Sequence, residues 1–383
     1  MLIKYGFKNF FSFKEESFIS FELDKNVPDD VSQGRSFTTI MGIKGANSSG
    51  KTNIIKALSF LSEFITSSSN KEKYKLAAFP FFDSKEKTFL YAELGHAGKQ
   101  YRYEVEIFEK EVISEKVFRK NRKWVPILSR EKTDITYAIS DFEKSKEIKI
   151  SKDASAISTL SNFRMFDSML DLKNIYDCFD NVIYNVSASD GMLPIPTDFR
   201  KVSGIYNIDK RIFEFTKSFL QKADPTLIDI EINQDVDKDG EERFTPIFIH
   251  QYADNRKKLQ FRDESSGTKT LYIMLCAYQW VIYKGGVLAL DEFDIHLHAM
   301  LLPHILKLFT DPENNSKNSQ FIFTAHNTEI IDELGRYRTT LVNKEDCESY
   351  CYRLDEIGGQ ILRNDRPISP IYTKGLIGGT PQL

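Results

Sequence analysis

Four short stretches carry residue types suited to phosphate chemistry. The first, GANSSGKT at 45–52, follows an apolar run, TTIMGIK, and precedes an amphipathic one, NIIKALSFLSEFI. It fits the pattern G-x-x-x-x-G-K-[ST]. Gly45 and Gly50 allow a tight loop in which Asn47, Ser48 and Ser49 turn backbone N–H groups onto phosphates. Lys51 adds a point charge for the β- and γ-phosphates of ATP, and Thr52 a hydroxyl for Mg²⁺. A chance Gly/Ser loop would share the composition but not the strand before it and the helix after it. The second stretch, VLALDE at 287–292, is an apolar strand ending in two carboxylates. Beside a phosphate loop, Asp291 holds the Mg²⁺ shell and Glu292 polarises an attacking water. Without the loop, it would read as a buried strand with solvated acidic ends.

The third stretch is FIFT followed by Ala325 and His326, a buried strand whose histidine comes where a γ-phosphate sensor would sit. The fourth is ESSGTK at 264–269, which opens the helix before the Asp-Glu strand. Its small residues and helix N-terminus form an anion site. Read alone, it is an ordinary helix start capped by Ser265 or Ser266.

The elements that must position these groups follow from periodicity. Residues 1–24 read as aromatic strands joined by tight turns, and 87–118 as a β-meander (TFLYAEL, QYRYEVEIF, EVISEKVF). The texture changes over 126–225, which is rich in lysine and serine and then helical at NFRMFDSMLDLKNIYDCF, with a loop at Pro194 and Pro196. Strands around LIDIEI and FTPIFIHQYA, a helix over 266–284, the two buried strands and a helix at HAMLLPHILKLF follow. The expected fold is α/β: a P-loop lobe at 1–125, a mostly helical insertion at 126–225 and a second lobe at 226–383.

Bulk properties exclude other classes. With 383 residues and 41% hydrophobic composition the chain builds a core of its own, and 52 basic against 55 acidic residues leave a net charge of −3. Any nucleic-acid contact must therefore come from a local patch. Cys178, Cys276, Cys347 and Cys351 lack the spacing and companions of a zinc site and read as free thiols. The opening MLIKYGFKNF has no secretory cleavage pattern, and the longest apolar run, Leu271–Tyr283, is too short to span a bilayer. The expected location is the cytoplasm.

Together, in the chain order GANSSGKT, ESSGTK, Asp-Glu strand and His326, the four stretches resemble the ABC-type ATPase head of the SMC, RecF and OLD proteins. Asn53 after the P-loop Thr and the opening IKYGFKNFFSF are similar to that group too. The resemblance implies that Ser265 and Gly267 bind the γ-phosphate of ATP held by a second copy of the chain. It departs at the D-loop, FDIHLHAM, where His298 replaces the usual Asp, a feature of the OLD-like and abortive-infection branch. Gln100 lies in the broad region of the family's Q-loop but reads equally as the edge of a turn. Lys51 and Asp291 are 240 residues apart, with no heptad array of the SMC kind, and only 57 residues follow His326, too few for a TOPRIM nuclease. The resemblance therefore implies a stand-alone ATPase of phage-defence or abortive-infection operons, dimeric or larger, acting with a separately encoded nuclease or toxin. A RecF-like DNA-binding ATPase and an ATP-binding scaffold are the competing classes; an intact Glu292 argues against the scaffold.

Three further patterns have plainer readings. DVDKDG at 235–240 begins like an EF-hand loop, but its twelfth position is Pro246, so a hairpin turn accounts for it better. His296, His298 and His304 lack the accompanying carboxylates of a metal site. RKNRKW at 119–124 reads as a solvated hairpin tip, with nucleic-acid contact through Trp124 as the alternative.

Overall fold

The computed structural model describes residues 1–70, 74–193, 198–236, 240–358, 361–362 and 366–381. The loop read at Pro194 and Pro196, residues 237–239 of the DVDKDG turn and the last two residues of the tail lie outside these.

Two sheets form the frame. Seven antiparallel strands lie in the order β2-β1-β4-β5-β6-β7-β8. They are β1 (Leu2–Lys8), β2 (Ser17–Ser20), β4 (Thr88–His96), β5 (Lys99–Phe108), β6 (Glu111–Asn121), β7 (Lys123–Glu131) and β8 (Asp134–Ala138). Six strands form the central sheet, in the order β18-β17-β3-β16-β15-β9. These are β3 (Ile40–Gly45), β9 (Val182–Tyr184), β15 (Val287–Leu290), β16 (Gln320–Thr324), β17 (Thr339–Glu345) and β18 (Glu348–Arg353). All its pairings are parallel except the β17–β18 hairpin. Strands β10 (Val186–Ser187) and β11 (Gly191–Met192) make a small ribbon, and β12 (Leu227–Val236), β13 (Glu242–Tyr252) and β14 (Asn255–Gln260) a three-stranded sheet.

The apolar runs at 40–43, 287–290 and 321–323 are central strands because both their faces are covered. Met41, Ile43, Val287, Ala289 and Ile322 join one core, whereas Ile40, Leu288, Leu290, Phe321 and Phe323 join the other. The strand period of two thus divides each run between the two layers. The helix Lys51–Ser67 buries Ile54, Leu58, Phe60, Leu61, Phe64 and Ile65 between the sheets. The helices Ser266–Lys284 and Leu302–Thr310 cover the opposite face, and Lys210–Ala223 packs on the first of them. Among the described residues no helix is long and apolar enough to cross a membrane.

The segment 126–225, read from sequence as one helical insertion, is spread over three parts of the fold. Its first residues complete β7 and β8 of the antiparallel sheet, and Val182–Tyr184 forms the edge strand of the central sheet beside β15. Helix Leu170–Asp180 packs into the core on the P-loop helix's side, and Phe199–Ile208 and Lys210–Ala223 pack into the opposite core. The continuous helix expected at NFRMFDSMLDLKNIYDCF is broken: a 3₁₀ turn at Arg164–Ser168 ends at Met169 (φ −86°, ψ 61°), after which the helix Leu170–Asp180 begins.

Candidate nucleotide site

The site lies at the carboxyl ends of β3, β15 and β16, where an open α/β sheet offers a crevice. Beyond β3 the chain makes the loop 45–50 and enters the helix at Lys51. Gly50 caps this helix with φ 110°, a conformation L side chains avoid, and a Cβ there would come within 2.7 Å of Ser349 Oγ and 2.8 Å of Ser12 Oγ. A Cβ on Gly45 would lie 2.5 Å from the Val342 carbonyl oxygen. The loop is therefore held against β17, β18 and the Ser12 turn with no room for a side chain at Gly45 or Gly50. Ser349 Oγ donates to Ser49 O at 2.7 Å, and Asn53 Nδ2 donates to Ser12 Oγ at 2.9 Å.

Lys51 Nζ donates to Gly45 O and Ala46 O, both at 2.9 Å, so the ammonium sits inside its own loop. Burial lowers its pKa, while Asp291 and Glu292 act to keep the charge. Thr52 Oγ1 donates to Asp291 Oδ2 at 2.7 Å. Thr324 Oγ1, at the end of β16, donates to the other carboxylate oxygen at 2.6 Å and accepts from Glu292 N at 2.7 Å. Asn185, just past β9, accepts from Asp291 N at 2.7 Å and donates to Asp291 O at 2.8 Å.

Glu292 has φ 52°, which turns the chain sharply after Asp291. Its Oε1 is 3.2 Å from His326 Nε2, and both side chains stay open to solvent, 39% and 48% exposed. Asn47, Ser48, Gly50, Lys51, Thr52, Asn53, Asp291, Glu292 and His326 line one cavity of about 570 Å³. A hydroxyl and a carboxylate 2.7 Å apart are the oxygen donors a hard divalent cation takes. The glycine cradle and Lys51 match the size and charge of a polyphosphate.

A family model described as "AAA domain, putative AbiEii toxin, Type IV TA system" matches residues 40–332. The chain belongs to this family of AAA-domain proteins. Two solved SMC structures are similar to it, and the first of them shares its fold. "Crystal structure of the SmcHead bound to the C-winged helix domain of ScpA" is 15% identical, with a TM-score of 0.52 over 92% of this chain and 96% of that one. "SMC head domain from Thermotoga maritima" is 16% identical, with a TM-score of 0.46 over 92% of this chain and 98% of that one. No curated protein matches the sequence.

Ser265 and Gly267 stand apart in this AAA domain: neither lines the cavity of its own chain. Ser265 is exposed at the N-cap of the helix Ser266–Lys284, where its hydroxyl accepts from Thr268 N at 3.0 Å. Gly267 passes close to the loop after Glu292; a Cβ there would be 3.3 Å from His296 O. Behind them the buried Glu264 meets His250 Nε2 at 2.6 Å. His298 caps a short 3₁₀ turn, accepting from Met300 N at 3.3 Å. Gln100 sits at the β4–β5 turn opposite Gly95 and does not line the cavity.

Sequence reasoning missed Ser12, Lys44, Asn185, Asp294, Thr324 and Ser349. Lys44 gave a signal: it is the one charge in the apolar run TTIMGIK. Its Nζ is buried and donates to three carbonyls, Ala325, His326 and Asn327, at 2.8, 2.9 and 3.0 Å. Burial pushes Lys44 down to about 8, with Asp294 opposing and Lys51 reinforcing the shift. Asn185 and Ser349 gave none, being ordinary polar residues far from the motifs in sequence.

Proposed function

We propose that the protein binds Mg²⁺-ATP in this cavity and hydrolyses its β–γ phosphoanhydride. The supporting observation is the junction of three strand ends: Thr52 bonded to Asp291, with Glu292 and His326 in contact above the phosphate loop. Mg²⁺ bound there supplies charge neutralisation to the phosphate oxygens. Thr52 and Asp291 hold the cation, and the loop from Gly45 to Gly50 with Lys51 orients the phosphates. Asn53 fixes the loop to Ser12. Glu292 Oε1 takes a proton from the attacking water, and His326 Nε2, 3.2 Å from that oxygen, orients Glu292 on the γ-phosphate side.

Glu292 and His326 face an open side, and Ser265 and Gly267 lie outside the cavity. This favours completion by a second copy, whose Ser265 and Gly267 close over the γ-phosphate. The family description favours a role in abortive infection, as the sensor or regulatory ATPase of an anti-phage system with a separate effector. Phe163 and Leu170, 45% and 63% exposed, offer that effector an apolar contact.

A second reading is a RecF-like DNA-binding ATPase. It is favoured by the β6–β7 turn, where Lys120, Arg122 and Lys123 are exposed and Lys120 Nζ lies 5.3 Å from the Trp124 ring.

Hydrolysis is tested with purified Glu292→Gln. It should bind ATP within about twofold of wild type and lose on the order of a hundredfold or more in turnover, because the base is gone and the cradle intact. Lys51→Ala should weaken binding itself. Wild-type turnover by Glu292→Gln would remove Glu292 from its role.

A further inference from the structure

The contact between His326 and Glu292 depends on a loop with no regular structure, since β16 ends at Thr324 and the next helix starts at Ile330. The His326 ring is too exposed for packing to hold it. The backbone under it is gripped from two sides instead. The Asp294 carboxylate accepts from His326 N at 2.9 and 3.1 Å and from Asn327 N at 2.7 Å. Lys44 Nζ spends its three protons on the carbonyls of Ala325, His326 and Asn327.

Opposite charges thus hold consecutive peptide groups, the anion on the N–H side and the cation on the C=O side. Their sequence origins differ. Lys44 comes from β3, immediately before the phosphate loop, and Asp294 from the turn after the Asp-Glu pair. The clamp therefore ties the histidine loop to both other motifs of the site.

We propose that Lys44 and Asp294 are positioning residues for ATP hydrolysis: they fix residues 325–327 so that His326 Nε2 stays in reach of Glu292. This rests on the hydrolytic reading above. Neither residue lies among those assigned to phosphate or cation. Losing either should therefore lower kcat through His326 alone and leave ATP affinity in place. A purely structural Lys44, present only to satisfy buried carbonyls, would instead lower stability without a specific dependence on His326.

The test uses the full chain with Lys44→Met, Lys44→Arg and Asp294→Ala, on wild-type and His326→Ala backgrounds. Lys44→Met should lower kcat by about tenfold to a hundredfold, the usual effect of misplacing a reacting group by about 1 Å, with the ATP Kd within about twofold. Lys44→Arg, which keeps the charge and the donors, should recover part of the loss. On the His326→Ala background, Lys44→Met should cost less than about twofold more, because contributions passing through one side chain are not additive. An unchanged kcat in Lys44→Met, or an equal loss with His326 already removed, would overturn the proposal. If Lys44→Met does not fold, Asp294→Ala, which reaches the same loop from a partly exposed position, must meet the same expectations. Amide hydrogen exchange over 325–327, read by mass spectrometry, should quicken in the folded variants. Unchanged exchange overturns the clamp, and this readout stands even if the wild-type protein turns over no ATP, in which case the hydrolytic reading fails instead.

Discussion

The Thr324 hydroxyl bonds both Asp291 Oδ1 and Glu292 N, so one buried oxygen sets the rotamer of the first carboxylate and the turn that presents the second. Thr324→Val keeps the shape and removes both bonds. It should cost about 1–2 kcal/mol of stability, the range for a buried partner left without its hydrogen bond. It should also raise the Mg²⁺ concentration needed for half-maximal turnover, because Asp291 is then free to rotate away from Thr52. A magnesium titration of the two proteins measures this; coincident curves would show that Thr324 supports the fold only. Such residues explain what could be read from the sequence at this scale. GANSSGKT and VLALDE are contiguous, so their chemistry shows in the order of residue types. Thr324, Asn185 and Ser349 act by proximity across more than thirty to three hundred positions, which no local pattern encodes. Gln100, a candidate by region alone, lies on a hairpin turn outside the cavity.

At the scale of elements, the phosphate loop depends on the strands around it. Gly50 stands at φ 110°, between Ser12 and Ser349. Gly50→Ala adds a methyl that neither backbone nor neighbours accept, so the loop must open. ATP affinity should fall by at least about tenfold while the cores, which Gly50 does not enter, keep the protein folded. Isothermal titration with circular dichroism separates these effects; wild-type affinity would mean that the loop adapts. The buried strands were legible because the uninterrupted apolar runs VLAL at 287–290 and FIF at 321–323 suit the middle of a parallel sheet. The β-meander was legible through its alternation. The division at 126–225 was not. Texture reports solvent exposure, whereas membership of a sheet is decided by long-range pairing. Residues 182–184, a three-residue edge strand inside a helical stretch, carry too little pattern to announce their place beside β15.

On the scale of the whole molecule, the chain gathers one cavity at the strand ends and leaves one helix start outside it. The cavity holds the cradle, the carboxylates and His326, while Ser265 faces solvent on the same chain. A second copy resolves this if each Ser265 serves the other's nucleotide. The most direct measurement mixes two variants, each inactive alone. Ser265→Arg keeps its phosphate loop and blocks its signature; Lys51→Ala keeps its signature and loses its loop. In a mixed dimer the loop of the first chain faces the signature of the second. With free exchange at equal amounts, half the dimers are mixed and carry one good site of two, so activity should return to about a quarter of wild type. No recovery at any mixing ratio, with exchange of subunits demonstrated, would contradict a site shared between two copies.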